Sequence, residues 1–208
     1  MVMATGKFVK NTKYYRGTVY EFNLPTGWSC PFALECKVNV DRITGKFDIA
    51  GGVYRCYAAS PERFPGVRKH RWDNYEAAKT LQIPEPPKNC TAIRIHAAGD
   101  FFNQAYFDAW IEYARKHPQI EMWAYTKSIG YWVARINDIP SNLILTASYG
   151  GRQDHLIEPN NLKNVIVYND INIVPNDRPI DRNDDYARMP NINFALLDNM
   201  KYSKKANQ

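Results

Sequence analysis

Cys30 is followed directly by Pro31, Cys36 comes after five intervening residues, and Cys56 after nineteen more. Gly27 stands just ahead of the first cysteine and Gly51-Gly52 just ahead of the last. Glycine and proline permit the tight backbone paths that turn several thiols toward one centre. Three thiolates on such a loop suit a cuboidal [4Fe–4S] cluster with one iron left open, or a zinc ion completed by a histidine. The spacing is not that of paired zinc-finger cysteines, which favours the cluster. The plain alternative is three buried, inert cysteines. Cys90 follows a proline linker and precedes a strand, so it reads as a core or surface residue rather than a fourth ligand.

Further candidates stand where short apolar runs end. The run 92–96 leads into His96-Ala97-Ala98-Gly99-Asp100, the run 120–125 into Thr126-Lys127-Ser128, and the run 143–147 into Ser148-Tyr149-Gly150-Gly151. In parallel β/α folds, function gathers at the carboxyl ends of the strands. His96 and Lys127 are therefore the catalytic candidates. Gly99, Asp100, Thr126, Ser128 and Ser148 are the candidates for binding a cofactor. His96 reads equally well as a hydrogen-bonded structural histidine. All five polar side chains among His96, Asp100, Thr126, Lys127 and Ser148 should line one cleft beside the cysteine loop, because parallel strands deliver their ends to one face.

The elements that must position these residues follow from periodicity. Residues 18–24 alternate apolar and polar and predict a strand, stopped by Pro25 and Gly27. Residues 37–51 predict a small hairpin turning at Thr44-Gly45. Residues 57–81 are helical in pieces, broken by Pro61 and Pro65, with 73–81 the firmer piece. Pro84, Pro86 and Pro87 make a linker. Strand 92–96 is followed by a helix capped by Asn103 and running to about Lys116. Strand 120–125, helix 129–136, and strands 143–147, 165–168 and 193–197 follow. Strands separated by helices imply parallel βαβ units. The expected fold is α/β: a partial or open parallel β/α barrel with a cysteine-bearing loop after the first core strand.

With 208 residues, 45% hydrophobic and 23% charged, the chain is expected to form one domain with a full core. Residues 1–16 form a basic, aromatic arm or covering strand, and 202–208 a disordered tail. No apolar run is long enough for a membrane helix, and 1–10 lacks a secretory h-region. The expected location is the cytoplasm, where cysteines serve as ligands or catalysts more often than as disulfides. A formal net charge of +6 leans toward a nucleotide or nucleic-acid partner.

Several of these segments recur together in a known family. Cys30-Pro31, Cys36, Cys56-Tyr57-Ala58, the run Arg94 to Phe101 (RIHAAGDF) and Tyr125-Thr126-Lys127-Ser128 resemble the phage gene-product-88 family, over roughly residues 25 to 150. That resemblance implies a phage protein in the host cytoplasm. The order of motifs also resembles radical S-adenosylmethionine (SAM) enzymes. In those, a three-cysteine loop follows the first strand and a Gly-Gly-Glu segment ends the second. By that resemblance Ala98-Gly99-Asp100 would meet the methionine ammonium of SAM, and Ser148 would stand near the ribose. The cysteine spacing differs from Cys-x3-Cys-x2-Cys, and the acidic residue is Asp rather than Glu. The resulting expectation is an iron–sulfur protein of radical-SAM-like type. Its rivals are a zinc-stabilised, non-catalytic nucleic-acid-binding accessory protein, and an accessory protein with no metal.

Overall fold

The structure is a computed structural model that describes residues 6–14, 16–48 and 55–198. Gly51-Gly52, the end of the expected hairpin and the tail 202–208 lie outside the described residues. Twelve strands and helices carry the architecture: β1 (Val9–Asn11), β2 (Val19–Phe22), β3 (Asn39–Val40), β4 (Phe47–Asp48), α1 (Pro65–Lys79), β5 (Ala92–Ile95), α2 (Gln104–Lys116), β6 (Glu121–Thr126), α3 (Ile129–Val133), β7 (Leu143–Ser148), β8 (Asn164–Tyr168) and β9 (Phe194–Leu197). Seven strands form one sheet in the order β1-β2-β5-β6-β7-β8-β9. Strand β1, from the N-terminal arm, is antiparallel to β2, and every later neighbour pair is parallel. β3 and β4 form the expected small hairpin, with Gly45 at φ +72° in its turn.

Alternation along the strands separates two faces. Phe22, Ile93, Ile95, Met122, Ala124, Leu143, Leu145 and Ala147 pack against Ala78, Tyr106, Phe107, Trp110, Ile129 and Trp132, so the helices cover one face. The helices that cross between sequential parallel strands lie on that face. The opposite face carries a smaller cluster of Val19, Ala92, Trp123, Val165 and Phe194, with Ala187 from the segment between β8 and β9. Among the described residues, no helix is long and apolar enough to cross a membrane.

Two expectations need correction. Pro65 does not break a helix; it opens α1, which runs unbroken for 15 residues. Proline suits the first helical position because that N–H has no intrahelical partner anyway. Only Pro61 lies in a distorted stretch, the 3₁₀ turn Tyr57–Arg63. Helix α1 escaped its apolar pattern because it buries a polar stripe, with Arg68, Arg71 and Asn74 at three-residue spacing ahead of Ala77 and Ala78. The second correction concerns the helix expected over 129–136, which ends at Val133. Asn103 caps α2 as expected, accepting from the Tyr106 N–H at 2.8 Å.

Candidate functional site

The cysteine loop leaves β2 and is fastened on both sides. Gly27 takes φ +79°, and a Cβ there would fall 1.9 Å from the Val38 carbonyl oxygen, so only glycine fits. The Lys37 ammonium donates to the carbonyls of Gly27 at 2.7 Å and Cys30 at 3.0 Å. The backbone N–H groups of Leu34 and Glu35 reach the Gly150 carbonyl beyond β7, and Arg152 N–H returns a bond to Phe32. Cys56 opens the turn Tyr57–Arg63, whose Ala58 carbonyl is held by Arg71 at 2.6 Å; Arg71 also pairs with the buried Glu62 carboxylate at 2.7 Å. Each of the three cysteines is partly exposed. Burial pushes the Cys30 thiol well above its ordinary value, and Asp100, Cys56 and Cys36 push the same way. Burial also raises Cys36, opposed by the Lys127 ammonium. Cys56 is pushed up to about 11 by burial and by Cys36. The three thiols thus lie in one another's electrostatic field. Among the described residues, no three Cys, His, Asp or Glu side chains are drawn together as around a single metal ion. Cys90 stands apart before β5, with its thiol on the Ala92 carbonyl at 3.4 Å.

The strand-end candidates form a second, adjoining group. One Asp100 oxygen accepts from the Thr126 hydroxyl at 2.6 Å and from the Phe101 N–H at 2.8 Å; the other accepts from the Lys127 N–H at 2.8 Å. Burial lifts this carboxyl to about 6 against those three bonds. The Lys127 ammonium donates to the carbonyl and hydroxyl of Ser148, at 2.9 and 3.0 Å, and to the Tyr149 carbonyl. The Ser128 hydroxyl donates to the Phe101 carbonyl at 2.6 Å. Gly99, at φ +92°, lets β5 pass close to the cysteine loop; a Cβ would sit 2.6 Å from both Leu24 Cβ and Ser29 Oγ. Gly99, Asp100, Thr126, Lys127, Ser128 and Ser148 are therefore brought together. They do not line the main cleft.

His96 departs from this group. Its ring lies among Phe101, Tyr106 and Trp110. Its Nε2 meets the Tyr106 hydroxyl at 2.9 Å, its Nδ1 is buried without a partner, and burial lowers its pKa to about 3. Such an imidazole is buried among aromatic side chains and held in its neutral form. Its φ of +60° turns it off the strand-end line and into the helical layer.

A cleft of about 680 Å³ lies on the Arg94 face of the sheet, with Cys36 and Cys56 in its wall. Its floor holds a polar network that the sequence reading did not single out. Arg94, on β5, meets the Asp184 carboxylate at 3.1 Å and donates to the hydroxyls of Tyr14 at 3.1 Å and Tyr57 at 3.3 Å. Asp184 also accepts from the hydroxyls of Tyr14 and Tyr125 and from the Trp123 indole. Arg94 carried a usable signal, a cation at an alternating position in the apolar run AIRIH. Asp184 lies in an ordinary polar stretch and carried none.

Comparison with known proteins gives a family and no activity. The Gene 88 protein of Mycobacterium phage L5 is 28% identical over 131 residues, an alignment covering 53% of this chain and 48% of that protein. The chain thus spans about half the length of the curated relative it matches. No solved structure matches it. The family model for Gene product 88 matches residues 4–207, and the chain belongs to that family.

Proposed function

We propose that this protein is an iron–sulfur protein of radical-SAM-like type, with Cys30, Cys36 and Cys56 as ligands of a [4Fe–4S] cluster. The observation that carries the reading is that Cys36 and Cys56, well separated in the chain, both open onto one cleft, with Cys30 on the same fastened loop as Cys36. The donor set fits: soft thiolates suit iron–sulfur clusters. Lys37, Lys127 and Arg71 would offset the cluster's negative charge. The sequential parallel order from β2 to β9, with helices on one face, supports reading the mostly parallel sheet as a partial β/α barrel.

Bound together, such a cluster and SAM supply one-electron cleavage of the sulfonium; the chain's own tasks are binding, orientation and exclusion of water. A carboxylate has about four acceptor sites. Three are used at Asp100, which leaves one for an ammonium beside Gly99. Thr126 and Ser128 would hold that carboxylate and the backbone around it in place. Ser148 would keep its own hydroxyl proton for a ribose oxygen. Lys127 would position β7 against β6 rather than transfer protons, since its ammonium is already engaged by three oxygens.

Anaerobic purification followed by iron and sulfide analysis tests the reading. The expected protein is brown, with about four irons per chain. Iron should be lost in Cys30→Ala, Cys36→Ala and Cys56→Ala and kept in Cys90→Ala. Calorimetry should show SAM binding that Asp100→Asn weakens about tenfold, the cost of one charge-assisted hydrogen bond. Colourless protein with stoichiometric zinc would replace this reading with the zinc-stabilised nucleic-acid-binding module. Protein with neither metal would leave an accessory protein without one.

A further inference from the structure

The charges of the main cleft are unevenly satisfied. Glu21 is held by the amides of Asn11 and Asn23, Asp181 by the backbone N–H groups of Asn183, Asp185 and Ala187, and Asp184 by the floor network. Asp198 and Arg55 are engaged as well. Arg71 and Arg94 are tied to Glu62 and Asp184. Two cations of the cleft wall remain. The side chains of Lys13 and Arg182 are exposed, and neither has a hydrogen bond or ion pair among the described residues. The site therefore offers two cations free to pair with an anionic ligand, while its carboxylates are already engaged by donors of the protein.

The ring of Tyr57 is placed just as unevenly. Its hydroxyl is fixed, donating to the Ala97 carbonyl at 2.9 Å and accepting from Arg94 at 3.3 Å, while the residue as a whole remains 51% exposed. A phenol pinned at its tip and open on its ring is a stacking platform whose rotamer is already set. It adjoins Cys56. The cleft also has an aliphatic wall of half-buried Val167, Ile180 and Leu196. An aromatic platform and an aliphatic wall accept a flat ring, and exposed cations at the same cleft accept a phosphate.

We propose that this cleft binds a nucleotide, its base on Tyr57 and its phosphate between Lys13 and Arg182. The proposal rests on the reading of Cys36 and Cys56 as cluster ligands that open onto this cleft, and it names the substrate class. A free nucleotide and a nucleotide within a single strand offer the same chemistry.

The test uses the full chain, purified anaerobically. Binding of a fluorescent single-stranded octanucleotide is followed by anisotropy, with an equimolar mixture of the four nucleoside monophosphates as competitor. Wild-type protein should bind saturably, and the paired reversal Lys13→Glu with Arg182→Glu should weaken binding at least tenfold and flatten its salt dependence. Tyr57→Ala should weaken binding roughly tenfold and Tyr57→Trp should restore it. Lys116→Glu, exposed at the far end of α2, should change nothing, and thermal midpoints identify any variant that has lost its fold. Competition by the monophosphates assigns the site to free nucleotides; binding of the oligonucleotide alone assigns it to a strand. Absence of saturable binding by either probe overturns the proposal, as does a wild-type affinity in the paired reversal or an equal loss in Lys116→Glu. Iron content measured on the same preparations separates the two readings. Iron without nucleotide binding removes the substrate class alone, and nucleotide binding without iron removes the cluster alone.

Discussion

At the scale of single residues, His96 is the instructive case. Its position after a strand suits a catalytic base, yet its ring is enclosed by aromatic side chains and its pKa is held near 3. An ordinary imidazole titrates at about 6.5, so the unfolded chain takes up a proton that the folded one refuses. The folded-state pKa is depressed, and between about pH 6.5 and 3 the unfolded state carries more protons. Stability contributed at this site is present above that window and is lost as pH falls through it. His96→Asn keeps a residue that tolerates positive φ and removes the titration. It should be the less stable protein at pH 7, from lost packing. The gap should narrow by about 1.4 kcal/mol for each pH unit below 6, as measured by urea midpoints between pH 7 and 4.5. A gap that stays constant with pH would show that His96 titrates normally.

At the scale of elements, the cysteine loop is placed by neighbours that approach too closely for any side chain. Gly99→Ala must displace Leu24 and Ser29 and place alanine at φ +92°. It should cost about 1–3 kcal/mol and lower iron incorporation, while Gly66→Ala, in open space within α1, should be neutral or stabilising by up to about 1 kcal/mol. Paired denaturation curves and iron analysis decide this. The strands from 92 onward, the cap at Asn103 and the hairpin turn at Gly45 are legible in the sequence because each rests on a local signal, either period-two apolarity or a residue with a special backbone preference. Helix α1 is only half legible: its buried stripe is made of arginines and an asparagine satisfied by carbonyls far along the chain, such as Arg68 on Arg42 and Ile43. The sequence also indicates that Asp100, Thr126, Lys127 and Ser148 converge. It does not show that they converge on one another rather than on the cleft, because hydrogen bonds between strand ends leave no pattern in either strand.

At the scale of the whole molecule, one sheet face is devoted to packing, and the other combines a smaller apolar cluster with a polar network. The floor of the cleft depends on Arg94 and Asp184, whose side chains are 15% and 12% exposed. Removing one member of such a pair strands a buried charge and costs about 3–5 kcal/mol, whereas removing both costs far less than the sum. Asp184→Ala and Arg94→Met should each lower stability by an amount of that order, and the double variant should recover part of it. Chemical denaturation of the four proteins gives the coupling directly. Additive losses would mean that the pair contributes nothing beyond its separate contacts. The two residues lie 90 positions apart, which is why nothing near Arg94 in the chain names its partner.

The contact between Tyr14 and Asp184 spans 170 positions, and this separation sets an order in time. During synthesis the cysteine loop, α1 and the strands β2, β5 and β6 all emerge before Asp184 does. At about 5–20 residues per second, some seconds pass in which the thiols can be gathered while the cleft still lacks its far wall. Long-range closure of this kind is slow to form. On the proposed reading, a ribosome stalled with residue 150 just exposed would carry a chain whose three cysteines have all emerged for iron but whose cleft still lacks the wall that would hold a nucleotide.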